Sequence, residues 1–172
     1  NTALTKLFCY SNQLTVLDVA ATAALTGLDC DNNQLTALDV SAFQLCKNLT
    51  SIRIPSGVRT LSSNMFYGCD ALITVELPEG LTEIGSYVFA GCAHLQNLVI
   101  PSAVNKIRYS AFSGCASLTE MVIPEGVEMI EYKCFFGCTS LQYVTLPSTL
   151  DTIGSKAFSG CEALERITFG GS

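Results

Sequence analysis

The sequence contains no tryptophan and a single histidine among its 172 residues. One imidazole leaves its serines and cysteines almost nothing to be activated by, and it cannot supply a His-rich metal site. Charge is also scarce. Asp, Glu, Lys and Arg together make up 14% of the chain, against about a quarter in an average soluble domain. Positive charge is scarcer still, with nine Lys+Arg against fifteen Asp+Glu and a formal net charge of -6. Without a basic field to gather phosphates or anionic headgroups, nucleic acid is not an expected ligand. Long apolar runs are missing as well: Val19 to Leu28 is interrupted by Ala and Thr and ends at Asp29, short of the ~20 residues a membrane-spanning helix needs. No membrane insertion is therefore expected. The start at Asn1 shows no charged region followed by an apolar one. A secretion signal is expected to have been removed or to lie outside this chain, which leaves the compartment undecided.

What is present is hydrophobic and periodic. Hydrophobic residues form 49% of the chain, enough to offset the ordering entropy that keeps polar sequences disordered. Phe43, Phe66, Phe89, Phe112, Phe135 and Phe158 recur every 23 residues. Cys46, Cys69, Cys92, Cys115, Cys138 and Cys161 follow three positions behind them, and all five prolines, from Pro55 to Pro147, keep the same interval. One unit reads LxxVxLPxGLTxIGxxxFxGCxx. Nearer the N-terminus the interval is 21: LTKLFCYSNQLTVLDV from Leu4 is matched by LTGLDCDNNQLTALDV from Leu25. The second runs directly into SAFQLC, so no Gly/Ser or Pro-rich hinge separates the repeat types. Residues 1–172 are expected to form one domain, with repeats of about 21–24 residues over 1–48 and of 23 over 49–172, the last one partial.

Repeats of this length with apolar residues at LxxLxL fall in the leucine-rich-repeat range. The expected fold is an α/β solenoid, a right-handed coil with a parallel β-sheet on its concave face and short 3₁₀ or α turns or loops on its convex face. Each LxxLxL segment supplies a short strand whose fourth and sixth residues point inward. The proline that follows donates no ladder bond and ends the strand. Segments such as IGSYVFAGC, Ile84 to Cys92, are too short for free-standing helices and read as one or two turns. Gly68, Gly91, Gly114, Gly137 and Gly160 then close those turns in the left-handed region. Leu45 stands where that glycine is due, so a different corner is expected there. The Phe side chains should point inward and stack from coil to coil, while Asn12 and Asn33 bond backbone groups inside their loops.

The units from Leu49 onward, such as LITVELPEGLTEIGSYVFAGC, resemble the BspA-like leucine-rich repeats of bacterial surface proteins. The resemblance covers about residues 43 to 169. Residues 4 to 40 resemble another leucine-rich type found beside such repeats in Bacteroidetes surface proteins. The resemblance implies a secreted or cell-surface binding module, often an adhesin contacting host or bacterial proteins, with no shared catalytic residues.

No constellation carries catalysis or calls for a cofactor. Nine cysteines are an odd number, and the six periodic ones form one column of parallel side chains, best read as buried free thiols acting as small hydrophobes. Cys134 occupies a slot that Ala111 and Ala157 fill elsewhere. With Cys138 it makes one pair, where zinc needs four clustered ligands. His94 could serve Cys92 only if that thiol left the core. Binding is better sought on the sheet's open face, where the fifth position of each repeat presents Phe8, Asp29, Arg53, Glu76, Val99, Val122, Thr145 and Thr168. Val99, Val122 and Tyr143 are expected to form one apolar patch, so the candidate partner-binding residues are Arg53, Glu76, Val99, Val122 and Tyr143. The functional expectation is a non-catalytic protein-interaction module, the alternative a passive spacer within a larger surface protein. Neither end shows a polar cap, which points to a fragment of a longer array or to end-to-end self-association through bare strand edges.

Overall fold

The computed structural model describes residues 1–38, 43 and 46–170. The chain winds as a solenoid of parallel strands in which each coil stacks on the one before it. One strand series comes from the LxxLxL segments: β1 (Lys6–Phe8), β2 (Gly27–Asp29), β3 (Ser51–Arg53), β5 (Thr74–Glu76), β8 (Glu120–Val122), β10 (Tyr143–Leu146) and β12 (Arg166–Phe169). Register follows the repeat, with Leu28 opposite Ile52 and Ile52 opposite Val75. These central residues are buried while their neighbours Ser51, Arg53, Thr74 and Glu76 face solvent, as period-2 alternation requires.

A second strand series lies on another side of each coil from Leu49 onward, where the sequence suggests only turns. It consists of β4 (Thr60–Leu61), β6 (Glu83–Ile84), β7 (Lys106–Ile107), β9 (Met129–Ile130) and β11 (Thr152–Ile153). Leu61, Ile84, Ile107 and Ile130 are its buried members.

The third side of the coil is the Phe-Gly-Cys corner, and it is not helical. Apart from Phe43, no described residue belongs to a helix, so the α/β assignment gives way to a solenoid of strands and turns. Two left-handed residues in each corner explain the difference. Beside Gly114 at φ 75° stands Ser110 at 52°, and the pairs Asn64/Gly68, Tyr87/Gly91, Lys133/Gly137 and Lys156/Gly160 repeat the arrangement on either side of each Phe. Those reversals split the backbone donors into two sets. The N–H groups of Ser110, Phe112 and Gly114 donate to Tyr132, Cys134 and Phe136 of the next coil at 3.1, 2.9 and 2.7 Å. Those of Ala111, Ser113 and Cys115 donate three residues back within their own coil. With half its donors committed to the neighbouring coil, the segment has no i to i−4 ladder to form. The expected change of corner at Leu45 lies outside the described residues.

Inside this corner the phenylalanines stack in one column. Ring centroids lie 5.1 Å apart from Phe43 to Phe66 and 5.3 to 5.6 Å apart from Phe66 through Phe158. Phe112 and Phe135 are parallel to within 1°. The cysteines run alongside as a second column with its own bonding. The Cys115 thiol donates to the carbonyl of Phe89 in the preceding coil at 3.2 Å, and Cys92, Cys138 and Cys161 repeat the contact at 3.1 to 3.2 Å. That carbonyl already accepts the N–H of Cys92 in its own coil. A thiol suits the slot because it is small and apolar yet carries a weak donor for the remaining lone pair.

Near the N-terminus, asparagine does this coil-to-coil work. Asn33 Nδ2 donates to the carbonyls of Cys9 and Cys30, both at 2.9 Å, and its Oδ1 accepts the N–H of Leu14 at 2.9 Å. Asn12 bonds Cys9 and Tyr10 within its own loop.

Candidate binding surface

Both strand series are interrupted at the coil that begins with Leu95. The first series divides into a sheet β1-β2-β3-β5 and a sheet β8-β10-β12, with Asn97, Leu98 and Val99 between them in no strand. No main-chain hydrogen bond joins Asn97, Leu98, Val99 or Ile100 to either neighbouring coil. One side-chain contact crosses here, from Thr119 Oγ1 to Asn97 Oδ1 at 3.3 Å. The second series divides one step later, between β7 and β9. Arg108 spans that seam, with Nε 2.8 Å from Glu83 and Nη1 3.3 Å from Glu131, whose other oxygen accepts the Tyr109 N–H.

The break in the first series opens a groove on each side of the Leu95 coil. One, of about 340 Å³, is lined by Asn97, Leu98, Val99, Ile100, Glu120 and Val122. The other, of about 500 Å³, is lined by Thr74, Val75, Glu76, Leu77, Glu79, Asn97, Val99 and Pro101. Val99 stands between them and is 82% exposed, while Val122 is 60% exposed. Leu98 and Ile100, on the opposite side of the chain, are buried.

The five residues expected on this face therefore divide. Val99 and Val122 share one groove, and Glu76 and Val99 share the other. Arg53 sits one coil further back, its guanidinium 2.6 Å from Glu76 in a solvent-exposed ion pair. Tyr143 lines neither groove; its hydroxyl lies 3.2 Å from Glu165 on the next coil. The break itself and the acidic residues Glu79 and Glu120 are absent from the sequence-based set. The one sign available is Asn97, a poor strand former at a position held elsewhere by Lys6, Gly27, Ser51, Thr74, Glu120, Tyr143 or Arg166, and Gly27 in β2 shows that such a residue does not by itself open the sheet.

Candidate chemistry elsewhere is quenched by local geometry. His94 Nδ1 lies 2.8 Å from the Asp70 carbonyl and 3.3 Å from its carboxylate, whereas Cys92 is fully buried with its thiol on Phe66. Burial pushes the Cys69 thiol up to about 11 and that of Cys30 to about 12, and it carries Cys92, Cys115 and Cys134 further up. Such groups are neutral thiols near neutral pH and poor nucleophiles. Among the described residues, no three His, Cys, Asp or Glu side chains gather as a metal site would. No described helix is long and apolar enough to cross a membrane.

A solenoid of short parallel strands with an inward Phe column and an exposed sheet face defines a repeat protein. The BspA type leucine rich repeat region matches the chain in six copies over residues 21–138 and 105–172, and the chain belongs to that family. No curated protein matches it. Among solved structures, a leucine-rich repeat protein of T. pallidum superposes with a TM-score of 0.75 at 29% identity, covering 83% of this chain and 66% of its own. One from Bacteroides ovatus gives 0.72 at 36% identity, covering 77% and 34%. A leucine rich cell surface protein from Faecalibacterium prausnitzii gives 0.69 at 25% identity, covering 87% and 52%. The chain thus spans between about a third and two thirds of the length of these proteins.

Proposed function

We propose that the chain is a non-catalytic protein-interaction module of a secreted or cell-surface bacterial protein, adhesin-like in role, that binds through the open face of its first strand series. The observation that supports this most is the pair Val99 and Val122, two aliphatic side chains held in solvent side by side on a rigid repeat scaffold. Exposed apolar groups ringed by polar ones are a common mark of an interaction site. Family membership and the cell-surface protein among the structural relatives favour the same reading.

The test is binding of the immobilised chain to a panel of purified host extracellular and bacterial surface proteins, with Val99→Glu/Val122→Glu as the paired control. Circular dichroism establishes that the double variant is folded. Saturable binding that falls at least ten-fold in the variant supports the reading. No saturable binding to the panel, or affinities unchanged by the double substitution, replaces it with that of a passive spacer.

A further inference from the structure

The grooves beside the Leu95 coil combine three features that a single ligand chemistry satisfies. The main chain of Leu98, Val99 and Ile100 is unpaired, whereas almost every buried or half-buried backbone group in a folded protein finds a partner. Val99 offers an aliphatic surface shared by both grooves, and Val122 lines the smaller one with it. The charged residues lining them are Glu76, Glu79 and Glu120, with no lysine or arginine. Of these, Glu76 is neutralised by Arg53, which leaves Glu79 and Glu120 as exposed anions on a chain of net charge -6.

We infer that this break in the sheet is a docking site for an extended, basic-aliphatic peptide segment of a partner protein. The segment's amides and carbonyls bond Leu98, Val99 and Ile100, an aliphatic side chain covers Val99 and Val122, and a Lys or Arg meets Glu79 or Glu120. Main-chain pairing supplies affinity and the side chains supply selectivity, as in strand addition at a sheet edge. Charge complementarity points to a basic partner. An acidic peptide in the same grooves meets like charge and loses both rate and affinity. The inference rests on the reading that the open sheet face binds protein, and it narrows that reading to one segment chemistry.

The probe is a labelled heptapeptide in which lysine and valine alternate along one face of the extended chain and threonine occupies the other. Its binding is followed by fluorescence anisotropy and by the amide resonances of the protein. The expected result is saturable binding with shifts at Leu98, Val99 and Ile100. Affinity should fall at least ten-fold when glutamate replaces lysine in the peptide, when its central amides are N-methylated, or in the Glu79→Lys/Glu120→Lys protein. Equal binding of the lysine and glutamate peptides overturns the charge assignment, and equal binding of the N-methylated peptide overturns the main-chain pairing. Absence of peptide binding, alongside a panel protein whose affinity depends on Val99 and Val122, overturns this inference while leaving the wider function intact.

Discussion

Between the coils that begin with Leu95 and Leu118, two sides of the solenoid behave in opposite ways. Along the Phe corner nothing is interrupted: Ser110, Phe112 and Gly114 each donate to the next coil, Phe89, Phe112 and Phe135 stack, and the thiol of Cys138 reaches Phe112. On the two strand sides the pairing stops, in one at Asn97–Ile100 and in the other between β7 and β9. The corner is therefore the spine of the molecule, and the strands are attachments that local sequence can open. In a repeat array each coil leans only on its neighbours, so a break in one pairing line is tolerated where another line holds. This gives the surface room to vary without loss of the core.

The contrast is broken most severely by alkaline pH, which acts on the thiol column of the spine. Within that column the buried thiols of Cys69, Cys92 and Cys115, and outside it those of Cys30 and Cys134, hold their protons above the ordinary value of 9.0, chiefly through desolvation. Below pH 9 both the folded and unfolded chains are protonated there, and stability does not depend on pH through these groups. Above it the unfolded chain releases protons that the folded one keeps. Stability then falls by about 1.4 kcal/mol per pH unit for each such thiol. Urea midpoints measured from pH 8 to 11 should drop steeply above 9, and the drop should be shallower in Cys115→Ala. A flat profile would remove the thiols from the core.

A smaller loss is expected from Phe112→Ala, which leaves a gap between Phe89 and Phe135 at the level where the strands give no support. Removal of a fully buried Phe costs about 3–5 kcal/mol, and equilibrium urea unfolding should place the variant at the upper end. A cost equal to that of Val99→Ala would deny the corner its role.

The smallest effect sharpens the comparison from the other side. Asn97→Thr replaces a poor strand former with a good one in the open segment. It should change global stability by no more than about 0.5 kcal/mol, within the usual range for surface substitutions. The amides of Leu98 to Ile100 should nevertheless become more protected, and binding of the lysine-valine peptide should weaken as the sheet closes. Unchanged protection in this variant would show that neighbouring coils, not Asn97, hold the segment open.

How far these features were legible depends on how many residues specify each. The Phe, Cys and Gly columns occupy fixed slots that only a few residue types satisfy, so their 23-residue beat stands out in the amino-acid order. The ends of β3, β5, β8 and β10 before Pro55, Pro78, Pro124 and Pro147 are visible for the same reason. The second series is not, because each of its strands is two residues long and presents one inward side chain, such as Ile84 or Ile107, too little for alternation to show. The left-handed residue two before each Phe from Phe66 to Phe158 carries no sequence signature either. It is occupied by Asn64, Tyr87, Ser110, Lys133 and Lys156, which share no chemistry, so the constraint lies in the coil-to-coil hydrogen bonds. On the candidate surface, Val99 and Val122 were readable from alternation. The separation of Tyr143 from the grooves, and the grooves themselves, arise from the spacing of whole coils.

Amide hydrogen exchange across the Leu95 coil tests the central claim most directly, since it reads the spine and the open sheet in one sample. The account predicts that the amides of Phe89, Phe112 and Gly114 exchange only on global unfolding, while those of Leu98, Val99 and Ile100 exchange at least a hundred-fold faster. Equal protection of the two sets would contradict it.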